Sequence, residues 1–141
     1  MKTAKPKRRK TLRYKKLSSL LALALREVKR CEGMKNIKVD MRVWFKRNGK
    51  CSVCAAGAVM RNCLVLPRCS HIDPTDFDRE TGDQLYAINL LRQGSAWLAG
   101  DQIGVFVSPN LNREVRDYDL DPAGWHADMK QLLADLRKAG C

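Results

Sequence analysis

Residues 52–66 read SVCAAGAVMRNCLVL, and their periodicity indicates the centre of the fold. Apolar or small residues recur at the spacing of one helical face: Val53, Ala56, Gly57, Met60 and Leu64. A period of two would instead place Arg61 among apolar side chains, so the segment predicts a helix. Residues 55–58 carry almost no side-chain bulk. A neighbouring element can therefore approach this backbone closely, and we expect the helix to lie centrally in the core.

The segment before this helix, residues 37–45, supports two interpretations. Apolar residues occupy its odd positions and polar residues most of its even ones, which is typical of a strand, and the turn dipeptide Asn48-Gly49 follows. Alternatively, Asp40 would cap a short helix that carries Met41, Trp44 and Phe45. We predict the strand.

Patterns elsewhere predict four more helices and one more strand. The helices cover residues 17–31, residues 84–93, a short stretch after Ser95, and a final helix that Asp121 caps and Pro122 begins. The run Ile-Gly-Val-Phe-Val at residues 103–107 predicts a strand.

These elements predict a mainly α fold, with α+β as the alternative. Residues 17–141 would form a compact single domain of four to five helices with one or two short strands. The chain has 141 residues, of which 45% are hydrophobic, so it can build one core without disulfides. Residues 1–16 contain nine Lys or Arg and no acid, and we predict a disordered basic arm there.

Charge follows a gradient along the chain, which has 27 Lys or Arg against 15 Asp or Glu. The N-terminal half is strongly basic, whereas residues 71–141 hold seven basic and twelve acidic residues. Clustered cations neutralise phosphates and release counterions, so the basic half predicts a nucleic-acid-binding surface. The predicted contacts are Lys5, Lys7, Arg8, Arg9, Lys10, Arg13, Lys15, Lys16, Arg26, Lys29, Arg30, Lys46, Arg47 and Lys50.

The basic run also supports other interpretations. Residues 7–10 would serve as an address signal, or the arm would contact an acidic protein or membrane surface, or it would only keep the protein in solution. Tyr14 is the only aromatic residue in the arm, so base stacking is poorly provided for.

Five of the six cysteines precede residue 70, and four of them fall between residues 51 and 69. Cys51-x-x-Cys54 resembles a zinc knuckle, and Cys69 with His71 would complete a tetrahedral site. Cys63 is half a helical turn out of phase with Cys54, so both cannot face one metal. The other interpretation, which we favour, is that these cysteines are small buried thiols packed among alanines.

Residues 73–83 form an acidic segment containing Asp73, Asp76, Asp78, Glu80 and Asp83. Carboxylates just before a helix are typically caps and solvated charges. The alternative is a hard-cation site, or a small hydrolase that pairs these acids with His71. Neither His71 nor His126 has a nucleophile at a recognised spacing, and we predict that the protein is not an enzyme.

Three segments resemble a pattern found in small, uncharacterised bacteriophage accessory proteins. They are residues 40–45 (DMRVWF), 49–60 (GKCSVCAAGAVM) and 87–94 (AINLLRQG). Proteins of this kind combine a Trp-containing segment, a Cys-x-x-Cys before an Ala-Gly-Ala helix, and a Leu-Arg-x-Gly helix end. The resemblance implies a compact, mainly helical protein that acts on a host target, and it favours the helical interpretation of residues 40–45.

We therefore predict a non-enzymatic accessory protein that binds nucleic acid or a host nucleoprotein complex, and that inhibits a host polymerase or defence system. No cofactor is predicted, apart from zinc in the alternative of a small zinc-stabilised interaction module. The apolar run at residues 17–25 is too short for a signal or an anchor. We expect no membrane partner and a cytoplasmic location, which is the host cytoplasm for a phage protein.

Overall fold

The structure, a computed structural model, describes residues 8–141. Five helices and four short strands follow one another as α1 Leu17–Glu32, β1 Ile37–Val39, β2 Phe45–Asn48, β3 Lys50–Val53, α2 Ala55–Cys63, β4 His71–Ile72, α3 Arg79–Leu91, α4 Ala96–Gln102 and α5 Pro122–Lys138. A 3₁₀ turn, Pro74–Asp76, precedes α3. Helices hold 49% of the residues and strands 10%, which confirms the mainly α class.

The four strands form one sheet in the order β1-β3-β2-β4. β3 pairs with β1 in parallel and with β2 antiparallel, and β4 pairs antiparallel with β2. The predicted turn at Asn48-Gly49 joins β2 to β3, and Gly49 takes a φ of 76°, which favours glycine. The sheet has more strands than the one or two predicted. β1 and β4 have only three and two residues, which is too short for a sequence pattern to reveal each as a separate strand.

Residues 37–45 form neither the continuous strand that we predict nor the alternative helix. β1 stops at Val39, and the chain turns through residues 40–44 before β2 begins at Phe45. The Asp40 carboxylate accepts hydrogen bonds from the backbone N–H of Arg42, at 3.0 Å, and from its guanidinium. A side chain that bonds to the backbone two residues on stabilises a turn, so Asp40 interrupts the alternating pattern.

Helix α2 lies at the centre of the core, as predicted. All residues from Ala55 to Met60 are buried, and α1, α3, β2 and β3 contact this helix. A Cβ atom at Gly57 would overlap the carbonyl oxygen of Trp44, in the turn before β2. Its helix begins later than predicted because Ser52 and Val53 pair with β1 and β2.

The helices of the C-terminal half follow the predicted order, but one predicted strand does not form there. α5 begins at Pro122, and the Asp121 side chain accepts a hydrogen bond from the N–H of Gly124 at 2.9 Å, as expected for an N-cap. α3 begins at Arg79, earlier than the predicted Gln84. The strand predicted at residues 103–107 is wrong: these residues form turns and bends, and no strand lies alongside to pair with them among residues 8–141.

The N-terminal segment is partly folded, which corrects the predicted disorder of residues 1–16 for residues 9–14. Arg9 forms a parallel bridge beside Leu64, in which its N–H donates to the Cys63 carbonyl at 2.8 Å. Leu12 is only 1% exposed, and its N–H donates to Thr81 Oγ1 at 2.9 Å. The one apolar side chain in this stretch of cations thus anchors it to the core.

Among the described residues, none of the helices is both long and apolar enough to cross a membrane.

Candidate nucleic-acid interface

Residues 9–14, which we call the docked segment, lie beside the outer surface of α1. Arg26 and Arg30 are four residues apart on α1 and therefore project from the same face of the helix. Together with Arg9 they line one surface cavity of about 200 Å³. Residues that are 17 and 21 positions apart in the chain thus form one cationic cluster, and we call Arg9, Arg26 and Arg30 the arginine cluster.

Arg26 and Arg30 share the Glu27 carboxylate, but most other cations of residues 8–30 have no acidic partner among residues 8–141. Arg8, Arg9, Lys10 and Lys29 are exposed, and within residues 8–141 no carboxylate lies within ion-pair distance of any of them. The same holds for Lys15 and Lys16. These side chains are therefore available to an external polyanion. The predicted contacts Lys5 and Lys7 lie outside the described residues.

Arg13, also a predicted contact, instead forms ion pairs with carboxylates of the protein itself. Its guanidinium lies 2.8 Å from the Asp78 carboxylate and 3.0 Å from that of Glu80, and it donates to Thr81 Oγ1. The Arg13 guanidinium helps to hold the pKa of Asp78 below its usual value, after the larger effect of Thr81. Arg13 therefore attaches the N-terminal segment to the start of α3 rather than projecting freely.

The predicted contacts on the sheet are divided between its two faces. Lys46 pairs in register with Ser52 and His71, whereas the neighbouring Arg47 pairs with Cys51. Successive strand residues point to opposite faces, so Lys46 and Arg47 do not belong to one surface. Arg47 lies over the Phe45 ring at 5.4 Å and donates to the Pro67 carbonyl at 2.9 Å. Lys50 is exposed just after the turn at Gly49.

Arg61 is a half-buried basic residue outside the set of predicted contacts. It lies near the end of α2, where its guanidinium donates to Asn62 Oδ1 at 2.8 Å, and its charge lowers the pKa of the Cys31 and Cys51 thiols against the larger effect of burial. Arg61 therefore lies between α1 and β3. In the sequence, Arg61-Asn62 is the first polar pair after the apolar run of α2. This pair indicates where the helix leaves the core.

The four predicted zinc ligands are not gathered around one point. Cys51 lies on β3 and His71 on β4, with β2 between these strands. Cys54 is buried at the start of α2, where its Sγ accepts from the Gly57 N–H, while Cys69 is exposed. No three His, Cys, Asp or Glu side chains of residues 8–141 are grouped so as to hold a metal ion. The geometry therefore adds no support to the zinc hypothesis, and metal analysis is its test.

Burial also makes the core thiols poor ligands at neutral pH. It is the main cause of the raised pKa of the Cys31, Cys51 and Cys54 thiols. The pKa of Cys63 is raised to about 11, first by burial and then by the nearby Glu27 carboxylate. Metal ligands and nucleophiles need the thiolate, and burial disfavours that form at these cysteines.

The acidic segment at residues 73–83 mainly stabilises local structure. Asp73 and Asp76 form a reciprocal capping box around the 3₁₀ turn, in which Asp73 accepts from the Thr75 N–H at 2.8 Å and Asp76 accepts from the Asp73 N–H at 2.9 Å. Asp78 and Glu80 pair with Arg13. The roles of Asp73 and Asp76 agree with the interpretation of the acids as caps, whereas Asp78, at the N-cap of α3, makes no side-chain capping hydrogen bond. His71, exposed on β4, has no hydrogen bond to a carboxylate of residues 8–141.

Comparisons with known proteins reveal no family model, no curated protein and no solved structure that matches this chain.

Proposed function

We propose that the protein is a non-enzymatic nucleic-acid-binding protein, and that the arginine cluster with the cations around it forms the contact surface. One observation carries this proposal: the docked segment brings Arg9 beside Arg26 and Arg30 around a single cavity. Arginine forks match phosphate oxygens in geometry, and a cluster of them binds a phosphate backbone better than isolated charges do.

The distribution of acids supports the same surface. Twelve of the 15 acidic residues lie after residue 70, and several of them there pair with arginines of their own half. A polyanion approaching this second half is repelled, whereas one approaching the docked segment and α1 is attracted. The protein should therefore bind in one orientation.

The resemblance to phage proteins implies a more specific function, which we include in the proposal. The protein would act in the host cytoplasm on a host nucleoprotein complex, such as a polymerase or a defence complex, with its basic surface on the nucleic acid. A pull-down from host lysate with and without nuclease treatment tests this role. Loss of every captured protein after nuclease would place nucleic acid at the contact, and unchanged capture would contradict this.

The binding test compares two variants that each lose four exposed cations. The basic-surface variant carries Arg8→Gln, Arg9→Gln, Lys10→Gln and Lys29→Gln. The control variant carries Arg79→Gln, Lys130→Gln, Arg137→Gln and Lys138→Gln. None of these eight side chains is in an ion pair with a residue of 8–141, so both variants should fold and carry the same net charge.

Fluorescence anisotropy with labelled single-stranded DNA, single-stranded RNA and duplex DNA measures the outcome at low salt. We expect the basic-surface variant to lose about 50-fold in affinity for its preferred nucleic acid, because up to four phosphate contacts are removed. The control variant should stay within about threefold of the unmodified protein. Equal losses in both variants, or no binding by the unmodified protein, would contradict the proposal.

Deletion of residues 2–16 would be a poor test, because it removes Leu12 from the core. Deletion of residues 2–7 leaves every described contact in place and removes three cations, of which Lys5 and Lys7 are predicted contacts. We expect this shorter deletion to weaken binding without lowering thermal stability.

A further inference from the structure

The cavity at the arginine cluster is bounded by three parts of the chain. The docked segment contributes Leu12 and Tyr14, α1 contributes Leu23, and the end of α2 contributes Asn62 and Cys63. The cavity encloses about 200 Å³, which is less than the roughly 300–1,000 Å³ typical of drug-sized ligands. This space suits a phosphate group better than a whole nucleotide.

Glu27 lies at this cavity as an internal counter-ion and offers no contact to a ligand. Its side chain is 1% exposed, and its Oε1 lies 3.3 Å from Arg30 Nη1 and 3.8 Å from Arg26 Nε. The Cys63 thiol also faces this carboxylate, and it is protonated at neutral pH because burial and then Glu27 raise its pKa to about 11. The protein itself therefore encloses the carboxylate.

The three arginines keep N–H donors for an anion. A guanidinium has five such donors, and Glu27 faces one nitrogen of Arg26 and one of Arg30. These two side chains are 63% and 48% exposed, so a ligand can reach their other nitrogens. Arg9 is exposed and has no carboxylate partner among residues 8–141. Free donors of all three therefore border one small volume.

The charge of this cavity matches a phosphate monoester better than a phosphodiester. Among the lining residues, three arginines stand against one carboxylate, which leaves two positive charges. A monoester carries about two negative charges at neutral pH and has three free oxygens, whereas each diester within a strand carries only one charge. A monoester is also joined to the strand on one side only. It can therefore enter a bounded cavity without bringing the rest of the strand through it.

We propose that the arginine cluster binds the terminal phosphate of a nucleic-acid strand, and that the following internal phosphates run over the exposed cations Arg8, Lys10 and Lys29. Arginine forks hold the monoester oxygens through charge-assisted hydrogen bonds, and the apolar walls strengthen these contacts by excluding water. This inference rests on the proposed nucleic-acid binding and adds to it a preference for phosphorylated strand ends.

The probes are oligo-dT strands of one length that carry either a phosphate or a hydroxyl at one end and a fluorescent label at the other. One set has the phosphate at the 5′ end and a second set at the 3′ end, and oligo-U strands repeat both in RNA. A hydroxyl-ended strand that is one nucleotide longer controls for the added charge. In at least one set, anisotropy should show the phosphorylated strand binding about tenfold more tightly than both hydroxyl-ended strands.

Two pairs of variants test the residues, and each pair removes one cation that lines the cavity and one that does not. Arg9→Gln should reduce the preference for the phosphorylated end to within about twofold. Lys10→Gln should weaken the binding of both strands equally and keep the preference. Arg26→Gln and Lys29→Gln are the corresponding pair on α1.

Thermal unfolding shows whether the variants are folded. The Arg9 side chain makes no hydrogen bond or ion pair within residues 8–141, so Arg9→Gln carries the test if Arg26→Gln, which removes a neighbour of buried Glu27, does not fold.

The failures of the two proposals can be told apart. If the phosphorylated strands gain no more affinity than the longer hydroxyl-ended strand, in DNA and in RNA and at both ends, the phosphate site is overturned while the proposed binding function stands. A preference that Arg9→Gln and Lys10→Gln reduce alike would also overturn the site. Binding of none of the strands would overturn both proposals.

Discussion

Arg116 in the C-terminal half and Arg9 in the N-terminal half show two different uses of arginine. In the C-terminal half, the Arg116 guanidinium donates two hydrogen bonds to the Asp128 carboxylate, at 3.0 and 3.1 Å, and Arg113 lies 3.3 Å from Asp135. In the N-terminal half, Arg9 is exposed without a carboxylate partner among residues 8–141. An arginine that pairs closely with its own carboxylate braces the fold, whereas an unpaired one remains available to bind. Arg26 and Arg30 share the single Glu27 carboxylate and so keep donors for a further anion. Net charge alone does not reveal this difference, but the pairing does.

Arg13 shows how the two uses meet. It belongs to the basic N-terminal segment, but its partners Asp78 and Glu80 belong to the acidic half. The ion pairs between the halves, together with buried Leu12, hold the segment so that Arg9 lies next to α1. The acidic half therefore contributes indirectly to the basic surface by positioning it.

The largest effect that we expect comes from detaching the docked segment. Leu12→Ala should lower the free energy of unfolding by about 3 kcal/mol, since it leaves a cavity where a fully buried leucine was. Leu120→Ala is the matched control, because Leu120 is 86% exposed and its loss should cost less than about 0.5 kcal/mol. Urea denaturation measures both values. Similar small losses in the two variants would show that the segment is not part of the core.

A smaller effect should follow from removing one hydrogen bond between the end of α1 and the acidic half. Tyr118 and His126 both hydrogen-bond the Glu32 carboxylate, the latter at 2.8 Å. Tyr118→Phe should cost about 1 kcal/mol at neutral pH, because it removes one of these hydrogen bonds.

This contribution should also depend on pH. Burial, followed by Glu32, raises the pKa of Tyr118 above its ordinary value of 10.0, so the folded protein favours the protonated phenol. The stabilisation should be complete below pH 10 and decline as the pH rises above it. Thermal unfolding between neutral pH and pH 11 should show the difference between Tyr118→Phe and the unmodified protein shrinking at the alkaline end. A constant difference would contradict this.

A still smaller effect is expected for the paired arginines of the C-terminal half. Arg116 lowers the pKa of Asp128 below its ordinary value of 3.8, so the pair stabilises the fold above that pH and is lost as the pH falls through the lowered pKa. Asp128→Asn should slightly lower the melting temperature at neutral pH and not at strongly acidic pH. Nucleic-acid affinity should be unchanged in this variant, and a tenfold change would break the distinction between bracing and binding arginines.

The smallest effect concerns metal. Since no three potential ligands of residues 8–141 are grouped, we expect treatment with a chelator to leave the melting temperature unchanged. Metal analysis of the purified protein should find well under one zinc per chain. Near-full occupancy, with a large loss of stability on chelation, would support the zinc-stabilised module instead.

Local sequence patterns predict those parts of the fold that local physics controls. The small-residue run at 55–58 predicts the central position of α2, and Asp121 with Pro122 predicts the start of α5. The strand predicted at residues 103–107 fails because a strand needs a neighbour to pair with, and Val105 and Val107 are exposed instead. Alternation within one segment carries no information about such a partner.

The candidate site was less predictable for the same reason. Arg26 and Arg30 follow from helical spacing, but their meeting with Arg9 depends on how Leu12 docks, which is a long-range contact. A single leucine among cations is the only local signal of that docking. Similarly, the buried Glu27 next to Arg26 is indistinguishable in the sequence from a solvated ion pair on a helix surface.

Unpaired cations of the docked segment and α1 should hold a polyanion. The salt dependence of binding is the most direct measurement of this contact. We would measure Kd for a labelled single strand between about 50 and 200 mM salt, for the unmodified protein and for the basic-surface and control variants. We expect a log–log slope of about −4 or steeper, reduced by about 3 in the basic-surface variant and retained in the control variant. A slope near zero, or equal slopes in the two variants, would contradict it.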